Sequence, residues 1–378
     1  MKGNMRFCVP CLFGVEGLVA QELRDMGLEQ VQAENGRVLF SGGWEAMVRA
    51  NLCGRFGERV LLLLGEFPAR SFEELFQGVK ALPWEGLLGK EDAFPVTGSS
   101  LSSQLHSVPD CQAIIKKAIV ERLKAKYKLS WFAESGALHR VRFRILKDQV
   151  SVLVDTSGEG LHKRGYRALS NDAPMKETLA ASLCQLSRLR QDGHLIDPFC
   201  GSGTILIEGA LLARNIAPGL GRAFTAESWG SVPGQLWQQE RERARSLERR
   251  DTGFTAQGFD VDPAAVELTL ANAQKAGVED CITASVRDVR DFTQEGPYGC
   301  VVCNPPYGER LLDVRQAQEL YRALGQVFQP QRGWSFGVIS PDPEFESLFG
   351  RKADKRRKLY NGMIQCQYYQ YFRGSDKR

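Results

Sequence analysis

Asn304-Pro305-Pro306-Tyr307 stands directly after the apolar run Tyr298-Gly-Cys-Val-Val-Cys303. Proline has no N–H and fixes its own φ, so the pair stops a strand and holds its neighbours in a rigid turn. Such a turn can be a strand terminator and nothing more. It can also perform chemistry on a planar amine. An exocyclic amino group of a purine is a poor nucleophile because its lone pair is delocalised into the ring. Two fixed acceptors, the Asn304 side-chain oxygen and the Pro305 carbonyl, can each take one N–H and turn that lone pair toward an electrophile. This is catalysis by positioning. Tyr307 supplies a face on which a base drawn out of its helix can stack.

A second constellation lies upstream. Asp197-Pro-Phe-Cys200-Gly201-Ser-Gly203-Thr204 joins the apolar His194-Leu-Ile to the helical Thr204-Ile-Leu-Ile-Glu-Gly-Ala. Ligands of open α/β sheets lie beyond the carboxyl ends of the strands, where this turn falls. Gly201 and Gly203 allow close approach to the backbone. The stretch lacks a full dinucleotide fingerprint and a Walker lysine. Asp197 would repel a pyrophosphate but suits a cationic amino group. Asp260, in Gly258-Phe-Asp-Val-Asp-Pro263, ends the next strand, where a carboxylate can accept both hydroxyls of a ribose. Asp288, in Val286-Arg-Asp-Val-Arg-Asp-Phe292, follows the third strand and can accept from an adenine amino group. Any single Asp after a strand can be a helix N-cap, and Asp262 before Pro263 fits that description better than Asp260. Three acids around a glycine turn suit a ligand with a ribose, an adenine and a cationic amino-acid end. S-adenosylmethionine has all three.

The chain of 378 residues is long enough for two or three domains, and its 43% hydrophobic and 25% charged residues are those of a soluble globular protein. No run approaches the ~18 apolar residues of a membrane span, and the start lacks the apolar core of a signal peptide. The expectation is a cytoplasmic protein without a membrane partner. Cys8/Cys11 and Cys300/Cys303 have zinc-knuckle spacing. Both pairs fall in strand-like segments, where residues three apart face opposite ways, so reduced thiols and no metal are expected.

The elements that must hold these residues divide near residue 160. Residues 1–60 read as a small α+β unit, and 61–160 as a second. In the second, the helix around 109–129 puts Ile115, Ala118, Ile119 and Leu123 on one face and Lys116, Lys117 and Lys124 elsewhere. The next strand carries Arg140, Arg142 and Arg144 on one side. Each basic run alone suits a solvated face. Together, and with Lys163, Arg164 and Arg167 in the glycine-rich junction, they suggest a phosphate footprint. From 161 to 378, strands alternate with helices, the pattern of a doubly wound parallel sheet. An insertion from 214 to 255 interrupts it and reads as a solvated charged helix. The basic run 351–359 suits a solvated hairpin and an RNA contact equally.

Asp197–Ala210, Gly258–Pro263 and Asn304–Arg310, in that order, resemble class I S-adenosylmethionine-dependent methyltransferases acting on exocyclic amines. Asp155–Arg167, Ala173–Leu183 and Asn215–Phe224, with the N-terminal stretches 11–23, 37–42 and 49–63, narrow the likeness. They resemble the THUMP-domain RNA methyltransferases, most closely the bacterial large-subunit (23S) rRNA guanine-N2 enzymes. The resemblance covers essentially the whole chain. It implies a ferredoxin-like start (1–60), a THUMP RNA-binding module (61–160, its profile beginning as early as 43) and a Rossmann-like class I methyltransferase domain (161–378). It implies S-adenosylmethionine as cofactor and RNA as partner. Asp197, Cys200, Gly201, Gly203 and Thr204 would surround the methionine part, Asp260 the ribose and Asp288 the adenine. Asn304 would touch both donor and acceptor, with Pro305, Pro306 and Tyr307 completing the acceptor site and residues 173–177 packing nearby. Val302 stands where related enzymes often carry an acid. Some members add a second methyltransferase domain acting on guanine N7, an activity not expected here. The alternatives are a tRNA guanine-N2 enzyme, an N6-adenine methyltransferase on DNA or RNA, and a non-catalytic RNA-binding or assembly factor.

Overall fold

The computed structural model describes residues 4–167, 175–307 and 314–372. Its strands, in chain order, are β1 (Met5–Pro10), β2 (Glu29–Glu34), β3 (Arg37–Gly42), β4 (Leu61–Pro68), β5 (Val96–Leu101), β6 (Val141–Leu146) and β7 (Gln149–Asp155), followed by β8 (His194–Asp197), β9 (Thr255–Asp260), β10 (Ile282–Val286), β11 (Gly299–Cys303), β12 (Trp334–Ser340), β13 (Lys355–Asn361) and β14 (Ile364–Tyr371). They form two sheets within two compact units.

The first unit comprises residues 1–11, 19–161 and 222–243. Its sheet runs β2-β3-β1-β4-β7-β6-β5, so the ferredoxin-like and THUMP strands share one ladder through the antiparallel β1–β4 and β4–β7 pairs. The helix Val108–Tyr127 buries Ile115, Ala118, Ile119 and Leu123, the face its spacing assigns. Strand β2 and the helix Phe72–Lys80 are not legible in the sequence pattern. The polar, exposed β2 lacks an apolar face, and the helix is short, although Ser71 and Glu74 form a full capping box at its start.

The insertion is more than a solvated helix, correcting the sequence expectation. Residues 222–243 pack into the first unit. Trp229 is buried, its ring stacked 4.3 Å from His139 and edge-on to Trp44, with Nε1–H donated to the Leu138 carbonyl. Trp237 is buried against Phe224, and Arg49 clamps the buried Glu240 through Nε and Nη2 at 3.0 and 2.9 Å. The charged residues that suggest a water-facing helix hide this second face. Trp229→Ala should lower the stability of the protein by about 3–5 kcal/mol, read as a shift in the urea midpoint, because it leaves a cavity and an orphaned carbonyl. A loss below about 0.5 kcal/mol would return the segment to the surface.

The second unit comprises residues 12–18, 162–221 and 244–378. Its sheet runs β10-β9-β8-β11-β12-β14-β13. All neighbouring pairs from β10 to β12 are parallel, and β14 enters antiparallel beside β12. This is the doubly wound, Rossmann-like arrangement expected. β11 and β12 are buried along their length, as central parallel strands must be. One face packs an aromatic core in which Tyr321, Phe328, Trp334, Phe336, Phe345 and Tyr369 meet. Strand order reverses at β8, since β9 and β10 lie to one side and β11 onward to the other. The crevice beyond the carboxyl ends of β8 and β11 is therefore the topological switch point.

Candidate active site

Strand register arranges the acids and the asparagine in steps. Asp197, the last residue of β8, is level with Gly258 of β9, and the β8–β11 pairing of Ile196 with Val301 puts it level with Val302. Asp260 and Asn304 thus each lie two residues further along, ~6.6 Å by parallel-strand rise, on opposite flanks of Asp197. Asp288 lies two residues beyond Val286, which is level with Asp260. The glycine turn, the acids and the Asn-Pro-Pro-Tyr turn therefore share one crevice mouth.

Asp197 is fully buried. It accepts the Phe199 N–H at 3.1 Å, and burial, with Asp260 adding repulsion, pushes its carboxyl up to about 8. A cation brought to a buried acid of this kind would stabilise its anionic form. The Asp260 oxygens each take one N–H, from Gly201 at 3.0 Å and Asp262 at 3.1 Å, leaving lone pairs for two hydroxyls. Asp262 caps the following helix through Ala264 N–H, as its place before Pro263 suggests. Asp288 also caps, accepting from Arg290 N–H and Nη1, both at 2.8 Å, so part of its acceptor capacity is already used.

The two glycines have different reasons. Gly201 sits at φ +53° with no side chain within reach of an added Cβ, so the turn is open to a ligand there. Gly203 (φ +77°) has Thr269 within 2.9 Å of an added Cβ, so its role is close packing. Cys200 is buried, and burial together with Asp197 pushes its thiol up to about 12, which keeps it neutral. Thr204 opens the next helix and receives an Arg167 N–H at 2.7 Å. Two residues that sequence reading missed tie the turn from behind: Thr269 donates to the Gly201 carbonyl at 3.0 Å and Asn272 to the Ser202 carbonyl at 2.9 Å. Their spacing, three apart on one helix, is the signal that could have revealed them.

On the other flank, the Asn304 Oδ1 is buried with no hydrogen-bond partner among the described residues. Buried acceptors are almost always paired, which makes this oxygen a candidate to receive a donor from a ligand. Pro305 is buried beside it. The Tyr307 hydroxyl accepts from Asn361 Nδ2 at 2.7 Å, and burial pushes its pKa above the ordinary tyrosine value. A cavity of about 410 Å³ is lined by Tyr307 together with Val314, Tyr321, Pro341, Asp342 and Glu344. Small-molecule sites fall in this range. Ser340, the last residue of β12, donates to the Tyr321 hydroxyl at 3.0 Å and fixes the cavity wall.

Several residues expected at RNA have partners within the protein. Arg164 is buried and paired with Glu208, which also accepts from Tyr166. Arg167 binds Thr204 Oγ1, the Met175 carbonyl and Glu177, so it braces the glycine turn. Arg142 shares the buried Asp155 with Arg59. Lys116 pairs with Glu134 at 2.5 Å and lies over the Phe94 ring, and Lys124 pairs with Glu121. Apart from Glu121, three residues before Lys124 on one helix, the carboxylate partners lie ten or more residues away, so sequence alone does not show them. Lys117, Arg144 and Lys163 are exposed, and Arg140 is half-buried. Residues 173 and 174 of the 173–177 stretch, and Gly308–Arg310, lie outside the described residues.

All ten cysteines are free thiols, and no cluster of three or more metal-ligating side chains occurs among the described residues. Cys8 is buried in β1 while Cys11 lies past its end. No helix among the described residues is long and apolar enough to cross a membrane.

Family models match the chain in three places: an RlmL ferredoxin-like domain over 6–61, a THUMP domain over 69–155, and an RMKL-like methyltransferase domain over 164–370. YpsC of Bacillus subtilis (strain 168), named as a candidate RNA methyltransferase, is 44% identical over 361 residues, 95% of this chain and 94% of its own. Ribosomal RNA large subunit methyltransferase K/L of Psychromonas ingrahamii is 35% identical over 384 residues, 99% of this chain but 51% of its own. This chain therefore spans about half the length of that relative. Among solved structures, SMU.472, described as a candidate methyltransferase complexed with SAH, has a TM-score of 0.94 and 42% identity, with both chains covered in full. A Listeria monocytogenes protein, described as an N6-adenine-specific DNA methylase, has a TM-score of 0.94 and 44% identity over 98% of this chain and 97% of its own.

Proposed function

The chain belongs to the RMKL-like methyltransferase family, and on that premise we propose that it methylates the exocyclic N2 amine of a guanine in 23S rRNA, with S-adenosylmethionine as donor, in the cytoplasm. The observation that carries this reading is Asn304 Oδ1, buried with no partner among the described residues, in the crevice mouth that also holds Asp197 and Asp260. The donor supplies a methyl group made electrophilic by a sulfonium. The residues present fit it: Asp197 is a buried acid suited to an ammonium, Asp260 keeps lone pairs for two hydroxyls, and Gly201 leaves the turn open. Asp288 would take the adenine amine with its remaining lone pairs.

Asn304 accepts one N–H of the guanine amine and the Pro305 carbonyl the other, which turns the nitrogen lone pair out of conjugation. The base stacks on Tyr307, whose ring is held by Asn361, and occupies the cavity beside it. Methylation makes the amine more acidic, so the proton leaves after transfer and no strong base is required beforehand.

Guanine is favoured over adenine by Asp342 and Glu344 on the cavity wall. Guanine presents an N1–H donor beside its amine, which a carboxylate accepts. Adenine presents a lone pair at N1, which a carboxylate repels. The name of the Listeria structure keeps N6-adenine methylation of DNA as the second reading. Incubation with labelled donor and rRNA, tRNA or duplex DNA separates them. Label in rRNA is expected, and label confined to DNA would sink the proposal.

The basic run 351–359 resolves into distinct parts. Arg357 holds the Gly14 carbonyl and Arg351 the Phe328 carbonyl, whereas Lys352, Lys355 and Lys358 are exposed. We expect Lys355→Gln with Lys358→Gln to reduce the slope of log K for RNA against log salt by roughly 1.4, about 0.7 for each phosphate no longer neutralised. An unchanged slope would exclude direct phosphate contact by this strand.

A further inference from the structure

Five of the six tryptophans are buried, and Trp131 alone is exposed, at 73%. Its position is not the result of a loose loop. Its neighbour Phe132 is buried edge-on to Phe94. Glu134 accepts the Phe94 N–H at 3.0 Å and pairs with Lys116, and Gly136 N–H reaches the Glu91 carbonyl at 2.7 Å. With Phe132 filling the interior, the loop presents Trp131 outward on a fixed frame. The helix Val108–Tyr127 ends just before it, at Lys128 in the left-handed conformation (φ +58°), and Lys126 and Lys128 stand exposed there.

We propose that Trp131 is a stacking platform for an unpaired nucleobase of RNA, with Lys126 and Lys128 contacting the adjoining phosphates. The proposal rests on RNA being the substrate. An aromatic face flanked by cations is the chemistry of single-strand binding, because every base has a π-face and every linkage a negative charge. A protein interface would bury the indole among apolar groups, and lysines are depleted from such interfaces. The platform also gives Lys116 a reason to be where it is. It braces the loop through Glu134.

The test uses the full chain and a fluorescein-labelled single-stranded oligoadenylate, with an RNA duplex of equal length for comparison. Acrylamide quenching of tryptophan emission reports on Trp131, because the other indoles are buried. Bound single strand should shield that emission. Trp131→Ala should weaken binding roughly 10-fold, within the range for loss of one stacked base, while Trp131→Phe retains most of the affinity. Shielding that grows with protein concentration without RNA would assign the indole to a second copy and overturn the proposal. So would an alanine variant that binds as tightly as wild type. In that last case, continued methylation of rRNA by the wild type leaves the enzymatic reading standing. A wild type that methylates no RNA fails that reading instead.

Discussion

Asn304→Ala should slow methyl transfer by about 10²–10³-fold while leaving donor affinity within a few-fold of wild type. Oδ1 is a buried acceptor without a partner among the described residues, held at the end of a strand buried along its whole length and followed by two prolines. The buried strand and the two prolines fix the backbone on either side, so Oδ1 is offered from a set position. The energy of its hydrogen bond to a substrate amine is realised in orienting that amine, so its loss falls on kcat and not on donor binding. Asn304→Asp, which keeps an oxygen acceptor at the same place, should retain more activity than the alanine variant. The measurement is single-turnover transfer of labelled methyl to rRNA, together with calorimetric titration of S-adenosylhomocysteine. Unchanged transfer in the alanine variant would remove Asn304 from the chemistry.

Asp197→Asn should have two opposite effects, raising the stability of the ligand-free protein and abolishing donor binding. An aspartate in the unfolded chain titrates near ~3.9, whereas burial moves Asp197 to about 8. Between those values the folded state holds a proton that the unfolded state has released, so stability falls as pH rises from about 4 to about 8. Asparagine removes that dependence, and the ligand-free variant should melt several degrees higher than wild type at pH 7 to 8. A cationic amino group needs the ionised carboxylate. Donor affinity in wild type should therefore rise with pH up to about 8, by at most tenfold per unit where one proton is released on binding. In the variant, S-adenosylhomocysteine should give no melting shift at any pH. A variant that melts lower than wild type and still binds the ligand would contradict both halves. With both results, the residue would exchange stability for function, as polar groups buried at binding sites commonly do.

Much of this site is legible in the residues because it is built from strand ends. Parallel strands in a doubly wound sheet deliver their last residues to one edge, so Asp197, Asp260 and Asn304 can be grouped from their places in the sequence. The separate reasons for Gly201 and Gly203 are not legible, since one depends on Thr269 packing from another helix. Nor is the anchoring of Tyr307 by Asn361, which comes from the far side of the sheet. The basic residues are the least readable. Arg142, Arg164 and Arg167 look like a phosphate footprint in sequence, yet each has a carboxylate within 3.6 Å. Charge counts do not reveal partners, and a guanidinium is often structural when it sits in a glycine-rich junction between strands and helices. The same blindness hides the packed face of the insertion, where Trp229 and Trp237 carry the burial and the surrounding charges carry the pattern.

Whether the acceptor is the guanine N2 amine is decided by digesting rRNA methylated in vitro, taken from a strain lacking the gene, and identifying the labelled nucleoside by mass spectrometry. The expected product is N2-methylguanosine at a single position, absent from the untreated rRNA and absent when Asn304→Ala replaces the wild type. Label appearing as N6-methyladenosine would contradict the assignment of Asp342 and Glu344 and, with it, the guanine reading.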